Sequence, residues 1–123
     1  MKMLFTPLRL GEKPAPNRLT AQAMEGNDGE KGGLPSERTI GRYRDLARGG
    51  WGIVVAEATS VTRNSIAKKN GLILDRKNLD GFQRLTAAFK ENGPEALFLL
   101  QLTHSGRKSG AVFSEGEIEE IRR

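Results

Sequence analysis

Two apolar runs, residues 51–58 (WGIVVAEA) and 96–102 (ALFLLQL), constrain this chain more than any other feature. Neither alternates apolar with polar residues, so neither suits a strand with one wet face. Runs of this length fit strands buried on both faces, the habit of parallel sheets covered by helices. Between them lies an amphipathic helix pattern. Leu79, Phe82, Leu85 and Phe89 share one face, Asn78 or Asp80 stands where a cap is needed, and Gly93-Pro94 ends the helix. A second helix pattern precedes the first run. Ser36 follows Pro35 as an N-cap whose hydroxyl can accept from first-turn amides. Ile40, Tyr43, Leu46 and Ala47 share a face, with Arg38, Arg42 and Asp45 off it, and Gly49-Gly50 stops the helix.

The flanks extend the pattern. Residues 18–24 form a weakly apolar first strand, leading into a glycine-rich loop at 26–33. Residues 1–16 hold two extended stretches, 3–6 and 8–10, followed by Pro14 and Pro16, and are expected to form a hairpin arm. Loops follow at 59–76 and 103–110, and Ser114-Glu115-Gly116-Glu117 has the form of a capping box opening a third helix.

Strand–helix alternation of this kind means βαβ units on a parallel sheet. Strand starts near 18, 51 and 96 lie about 33 and 45 residues apart, and a (β/α)8 barrel averages roughly 31 residues per unit. A flavodoxin-like or Rossmann sheet alternates in the same way. No G-x-G-x-x-G follows the first strand, which argues against the dinucleotide-binding version, and there is no Walker A motif. The expected fold class is therefore α/β, a partial barrel of three β/α units. With 123 residues it is one domain, an arm at 1–16 and the units at 17–123.

Composition narrows the chemistry. With no cysteine there are no disulfides, thiolate metal sites or cysteine nucleophiles, and His104 alone cannot build a histidine-rich metal site. The net charge is +5, from 20 basic and 15 acidic residues, but the basic residues are scattered and few aromatics stand among them. A single-strand binder wants stacking platforms beside its charges, so no nucleic-acid partner is expected. No apolar run approaches the roughly 20 residues that cross a bilayer. No signal peptide opens the chain, so the cytoplasm is the expected compartment and no membrane partner is expected.

Polar residues recur where the strands end: Met24-Glu25-Gly26, Glu57 to Ser60 and Gln101 to His104. In parallel α/β architectures those carboxyl ends form the ligand face. Glu57 and Gln101 interrupt apolar runs and each costs desolvation unless it finds a partner. A structural hydrogen bond and a ligand contact both remain open for them. Residues 103–110 (THSGRKSG) could hold an anion, a signal of low specificity. His104 is more often structural than a general base, and the glutamates after Ser114 are favourable charges at a helix start.

Taken together, the strings NRLTAQAMEG (17–26), RYRDLARGGWGIVVAEATSV (42–61) and QLTHSGRKSG (101–110) resemble the old yellow enzyme family. These are FMN-dependent NADH:flavin oxidoreductases and ene-reductases. The opening LFTPLRLGEKPAPNRL is similar to the family's N-terminal arm, and the resemblance covers residues 3–110 in order. It implies FMN as cofactor and NAD(P)H as reductant. Hydride would pass through the flavin to a small-molecule substrate, an activated alkene or similar acceptor. It implies that Ala23, Met24 and Glu25 end against the flavin ring, that Ala58 lies close to it, and that Gln101 bonds its pyrimidine edge. A glutamine amide can supply both a donor and an acceptor there. His104, Gly106 and Arg107 match an H-x-G-R stretch to which no catalytic step is assigned.

Two departures accompany the resemblance. Glu25 stands where the family often has threonine or cysteine, and its charge, if aimed at the flavin, would lower the potential. The link from Gly110 to Ser114 is shorter than the family's. The later strands that carry the family's substrate-anchoring pair, proton donor and phosphate loops have no counterpart here. Three of eight strands cannot close a barrel. The chain is therefore expected to be the N-terminal third of an oxidoreductase, inactive alone, with open sheet edges that invite a homo-oligomer or other chains. The alternative is a non-catalytic α/β module that self-associates or binds an anionic partner.

Overall fold

A computed structural model describes residues 2–110. The capping box at Ser114 and its helix lie outside the described residues. The arm is a hairpin of β1 (Leu8–Leu10) and β2 (Lys13–Ala15), paired antiparallel. Sequence reasoning placed its first extended stretch at 3–6. Residues Lys2–Phe5 instead wind into a 3-10 turn, and β1 pairs forward across a turn at Gly11, whose φ of 59° a side chain would resist.

The main sheet is parallel and centred on β4 (Ile53–Ser60). Strand β6 (Leu97–Thr103) takes one edge of β4 from Ile53↔Leu97 to Ser60↔Thr103. The other edge is shared. β3 (Thr20–Ala21) pairs with Ile53 and Val54, and β5 (Leu72–Ile73) pairs with Thr59 and Ser60. This sharing corrects the first strand, expected over residues 18–24. It stops at Ala21, and beyond it side chains take over the backbone, Arg42 bonding the Met24 carbonyl and Glu57 the Gly26 N–H. Strand β5, from within the expected loop 59–76, pairs with β4 farther along.

Helix α1 (Glu37–Arg48) and helix α2 (Leu79–Asn92) cover one face of this sheet. Ser36 caps α1 as expected, its Oγ accepting from the Thr39 N–H at 3.1 Å. Asn78 stands at the start of α2 but does not cap it. Its side-chain amide donates to the carbonyls of Gly32 and Ile73 at 2.8 and 2.9 Å. Asp75 does the local work instead, accepting from the Lys77 and Asn78 amides. The core joins Ile40, Tyr43 and Ala47 of α1 to Phe82, Leu85 and Phe89 of α2, over Val54 and Ala56 of β4. Phe98 of β6 completes it, stacked on Phe89 at 4.1 Å between centroids and edge-on to Tyr43 at 5.6 Å.

The third strand departs from its expected burial. Strand β4 is buried almost throughout, but β6 shows Leu99 at 44% and Leu102 at 57% exposure. Phe98 and Leu100 pack against the helix-covered core, whereas Leu99 on the opposite face and Leu102 at the strand's end stand exposed.

The ladder between β4 and β6 carries one irregularity. Ala56 pairs with Leu100 and Thr59 with Leu102, so Glu57 and Ala58 together oppose Gln101. Such a β-bulge bends the strand and re-aims side chains. Glu57, within the bulge, is buried.

Candidate functional site

The carboxyl ends of β4 and β6 open onto a cavity of about 280 Å³. Glu25 and Asn27 line it from the segment after β3, Ala58 and Ser60 from β4, and Lys68 from the loop before β5. Thr103 and His104 contribute from the end of β6. The two loops are stitched together by backbone hydrogen bonds, Ser105 N–H to Ser65 O at 3.3 Å and Gly110 N–H to Ile66 O at 3.1 Å. Of the residues singled out from sequence, Glu25, Glu57, Ala58 and His104 meet here. Ala23, Met24 and Gln101 do not line this cavity: Ala23 is half-buried, Met24 is 77% exposed, and Gln101 is exposed opposite the bulge.

Two of these side chains have partners that fix them. Glu25 is ion-paired with the Lys68 ammonium at the cavity wall. Its carboxylate is therefore not a bare charge. The His104 Nδ1 accepts from the Gly106 N–H at 3.0 Å, which leaves the proton of the neutral ring on Nε2. Arg107 and Lys108 follow in an exposed 3-10 turn.

Glu57 also lines the cavity and belongs to a buried charged cluster that runs back from its wall. Glu57 is 1% exposed, and its Oε1 accepts from Arg42 Nη2 at 2.5 Å. Arg42 also reaches Asp28 Oδ1 at 3.0 Å, and its guanidinium lies 4.7 Å from the Tyr43 ring centroid. The Tyr43 hydroxyl accepts from the Glu57 N–H at 2.7 Å and donates to Oε1 at 3.3 Å. Asp28 accepts further from the Thr39 hydroxyl at 2.8 Å.

The electrostatics follow from these contacts. Burial pushes the Asp28 carboxyl up, but the hydrogen bonds from Arg42 and Thr39 and the nearby guanidinium charges outweigh it and hold it below its ordinary value. Burial works against the charged form of Arg42, and its bonds to Asp28, Glu57 and Tyr43 reverse this and raise it. The Tyr43 hydroxyl is pushed up, first by burial and then by the adjacent Glu57 charge.

Sequence reasoning saw that Glu57 needs a partner but placed Arg42 off the apolar face of its helix. The missed signal lies in Glu57 itself. A carboxylate inside an apolar strand requires a cation, and a helix packed on that strand offers one from the turn facing it. Lys68 carried no such signal, because a polar loop of eighteen residues gives no register against β4.

Residues 3–119 match the protein family described as NADH:flavin oxidoreductase / NADH oxidase. The chain belongs to that family. Among its relatives is an NADH-dependent flavin oxidoreductase of Neonectria sp. (strain DH2), 34% identical over 101 residues, 78% of this chain and 13% of the relative. A probable flavin mononucleotide-dependent alkene reductase of Leishmania infantum is 24% identical over 108 residues, 87% of this chain and 28% of the relative. The old yellow enzyme of Trypanosoma cruzi superposes with a TM-score of 0.76 at 24% identity, covering 88% of this chain and 28% of that one. That likeness establishes a shared fold. The family member described here therefore spans less than a third of these three proteins. No helix among the described residues is long and apolar enough to cross a membrane.

Proposed function

We propose that these residues form the first three β/α units of a (β/α)8 barrel that binds FMN at the carboxyl ends of its strands. The parent activity is NAD(P)H-dependent reduction of an activated alkene or similar small acceptor. The observation that carries the reading is the meeting of Glu25, Ala58 and His104, from three separate chain segments, at one cavity on the ligand face.

The residues present suit a flat, hydrogen-bonding ring. Ala58 follows Glu57 in the bulge and presents only a methyl group, which leaves room beside the strand end. The Gln101 amide, exposed on the neighbouring strand, offers a donor and an acceptor together. Ala23 and Met24, which precede Glu25 in the segment after β3 and do not line the cavity, are assigned to the ring by the resemblance alone. When bound, FMN supplies the two-electron chemistry, accepting hydride from NAD(P)H and giving it to the acceptor. The protein's part is to seat the ring, hold Glu25 and Lys68 beside it, and present the His104 Nε2 proton at the rim. No residue of this chain is assigned a catalytic step, and none a metal.

The 123 residues alone are expected to be inactive, since their share of the site is incomplete. NADPH oxidation dependent on FMN, measured on the purified chain against free flavin, tests this. A rate above the free-flavin background would contradict it. The intact mass of the protein as its host makes it decides whether further units are carried on the same polypeptide.

A further inference from the structure

The segment between β3 and α1 carries the proposed cofactor-facing residues, yet residues 22–30 form neither helix nor strand. A segment without ladder hydrogen bonds keeps its position through contacts from outside it. Around Glu25 two charged side chains supply them. From β4, Glu57 Oε2 accepts from the Gly26 N–H at 3.3 Å. From α1, Arg42 donates to Asp28 Oδ1 at 3.0 Å and to the Met24 carbonyl at 3.5 Å. These contacts fall on both sides of Glu25. Gly26 has no spare room within them, because a Cβ there would stand 2.3 Å from Arg42 Nη2 and 2.8 Å from Asp28 Oδ1.

Stability alone is a weak reason for this arrangement. A buried ion pair costs desolvation that its attraction only partly offsets, and well-packed apolar residues often fold as well. An apolar pair cannot hold an irregular backbone at polar points. A satisfied polar network can, because each bond made in low dielectric is both strong and directional.

We infer that Arg42 and Glu57 are positioning residues: a charged clamp that holds residues 24–28 and so sets where Glu25 stands at the cavity. The consequence for cofactor binding rests on the function proposed above, whereas the clamp does not. Arg42 acts through the segment it holds; Glu57, which also lines the cavity, holds the segment from the cavity wall.

The test uses the intact protein as its host produces it, in wild-type, Glu57→Gln and Gly26→Ala forms. In Glu57→Gln the amide oxygen turns to Arg42 and leaves its NH2 facing the Gly26 N–H, donor against donor. Gly26→Ala keeps every charge and displaces the guanidinium, which preserves the test if Glu57→Gln does not fold. Amide exchange at residue 26 reads the clamp, and FMN titration with the flavin's visible spectrum reads the consequence. Exchange is expected to accelerate and FMN affinity to fall, each by about tenfold or more, the scale carried by outer partners of binding sites. Wild-type exchange at residue 26 in a folded variant would overturn the clamp. Faster exchange with unchanged FMN affinity and spectrum would overturn its positioning role. If the wild type takes up no FMN, the flavin reading fails, and exchange at residue 26 alone decides the clamp.

Discussion

Arg42 Nη2 stands 2.5 Å from Glu57 Oε1, joining the second turn of α1 to the bulge of β4 at the cavity wall. The pair is the structural hinge between core and site. On one side Tyr43 and Phe98 pack it into the hydrophobic core. On the other, Gly26 and Asp28 hang from it.

Glu57→Ala is expected to destabilise the fold by about 3 kcal/mol, toward the low end for removing one partner of a buried pair. The reason for the low end is that Arg42 keeps Asp28 and is 28% exposed. Urea unfolding measures this. A loss under about 1 kcal/mol would place the pair among surface bridges that contribute little.

The cluster also sets a pH dependence. Asp28 has its folded value lowered below 3.8, so its contribution is present above that pH and lost as pH falls through the lowered value. Tyr43 has its folded value raised above 10.0, so its contribution is present below that pH and lost as pH rises through the raised value. Thermal midpoints across pH should therefore fall at both ends. Asp28→Asn should flatten the acid limb and Tyr43→Phe the alkaline one, each leaving the other limb in place.

Ser36→Ala removes the N-cap of α1 and also the hydroxyl bond to the Asp28 carbonyl, 2.6 Å long. The expected cost is about 1–2 kcal/mol, in the upper range for such caps. Denaturant midpoints measure it, and an unchanged slope shows that the native and unfolded states are otherwise alike.

The ion pair of Glu25 with Lys68 alters what Glu25 does to a flavin. Its charge alone would lower the potential, but an ammonium beside it cancels most of that effect. Lys68→Ala should therefore lower the midpoint potential of the flavin-loaded protein, and Glu25→Gln should raise it. Shifts of tens of millivolts are expected, where about 30 mV is tenfold for a two-electron couple. Potentials unmoved by both substitutions would show that neither charge senses the ring.

The fold was legible where local chemistry and tertiary context agree. The buried run of β4, the apolar faces of both helices and the Ser36 cap needed only periodicity and capping rules and lie where those rules put them, except that Leu79, the first residue of α2, is 48% exposed. The first strand was overdrawn because its end is decided by side chains from elsewhere, Arg42 and Glu57, which bond the backbone at Met24 and Gly26. The short apolar run at 72–74 that holds β5 was read as part of a loop. At β6 the apolar run states what it wants to bury, not what is there to bury it, and Leu99 is left 44% exposed. At the site, the strand ends announced Glu25, Ala58 and His104, whereas Arg42 and Lys68 enter through packing and loop closure that no spacing encodes.

The most direct test is the flavin content of the intact protein isolated from its own host, followed by FMN titration of any apoprotein and of Ala58→Phe. The account expects one FMN per chain, and an affinity lowered at least about tenfold when a phenyl ring fills the space beside the bulge. A colourless protein that takes up no FMN, or an Ala58→Phe form that binds it as tightly as wild type, would contradict the assignment of this cavity.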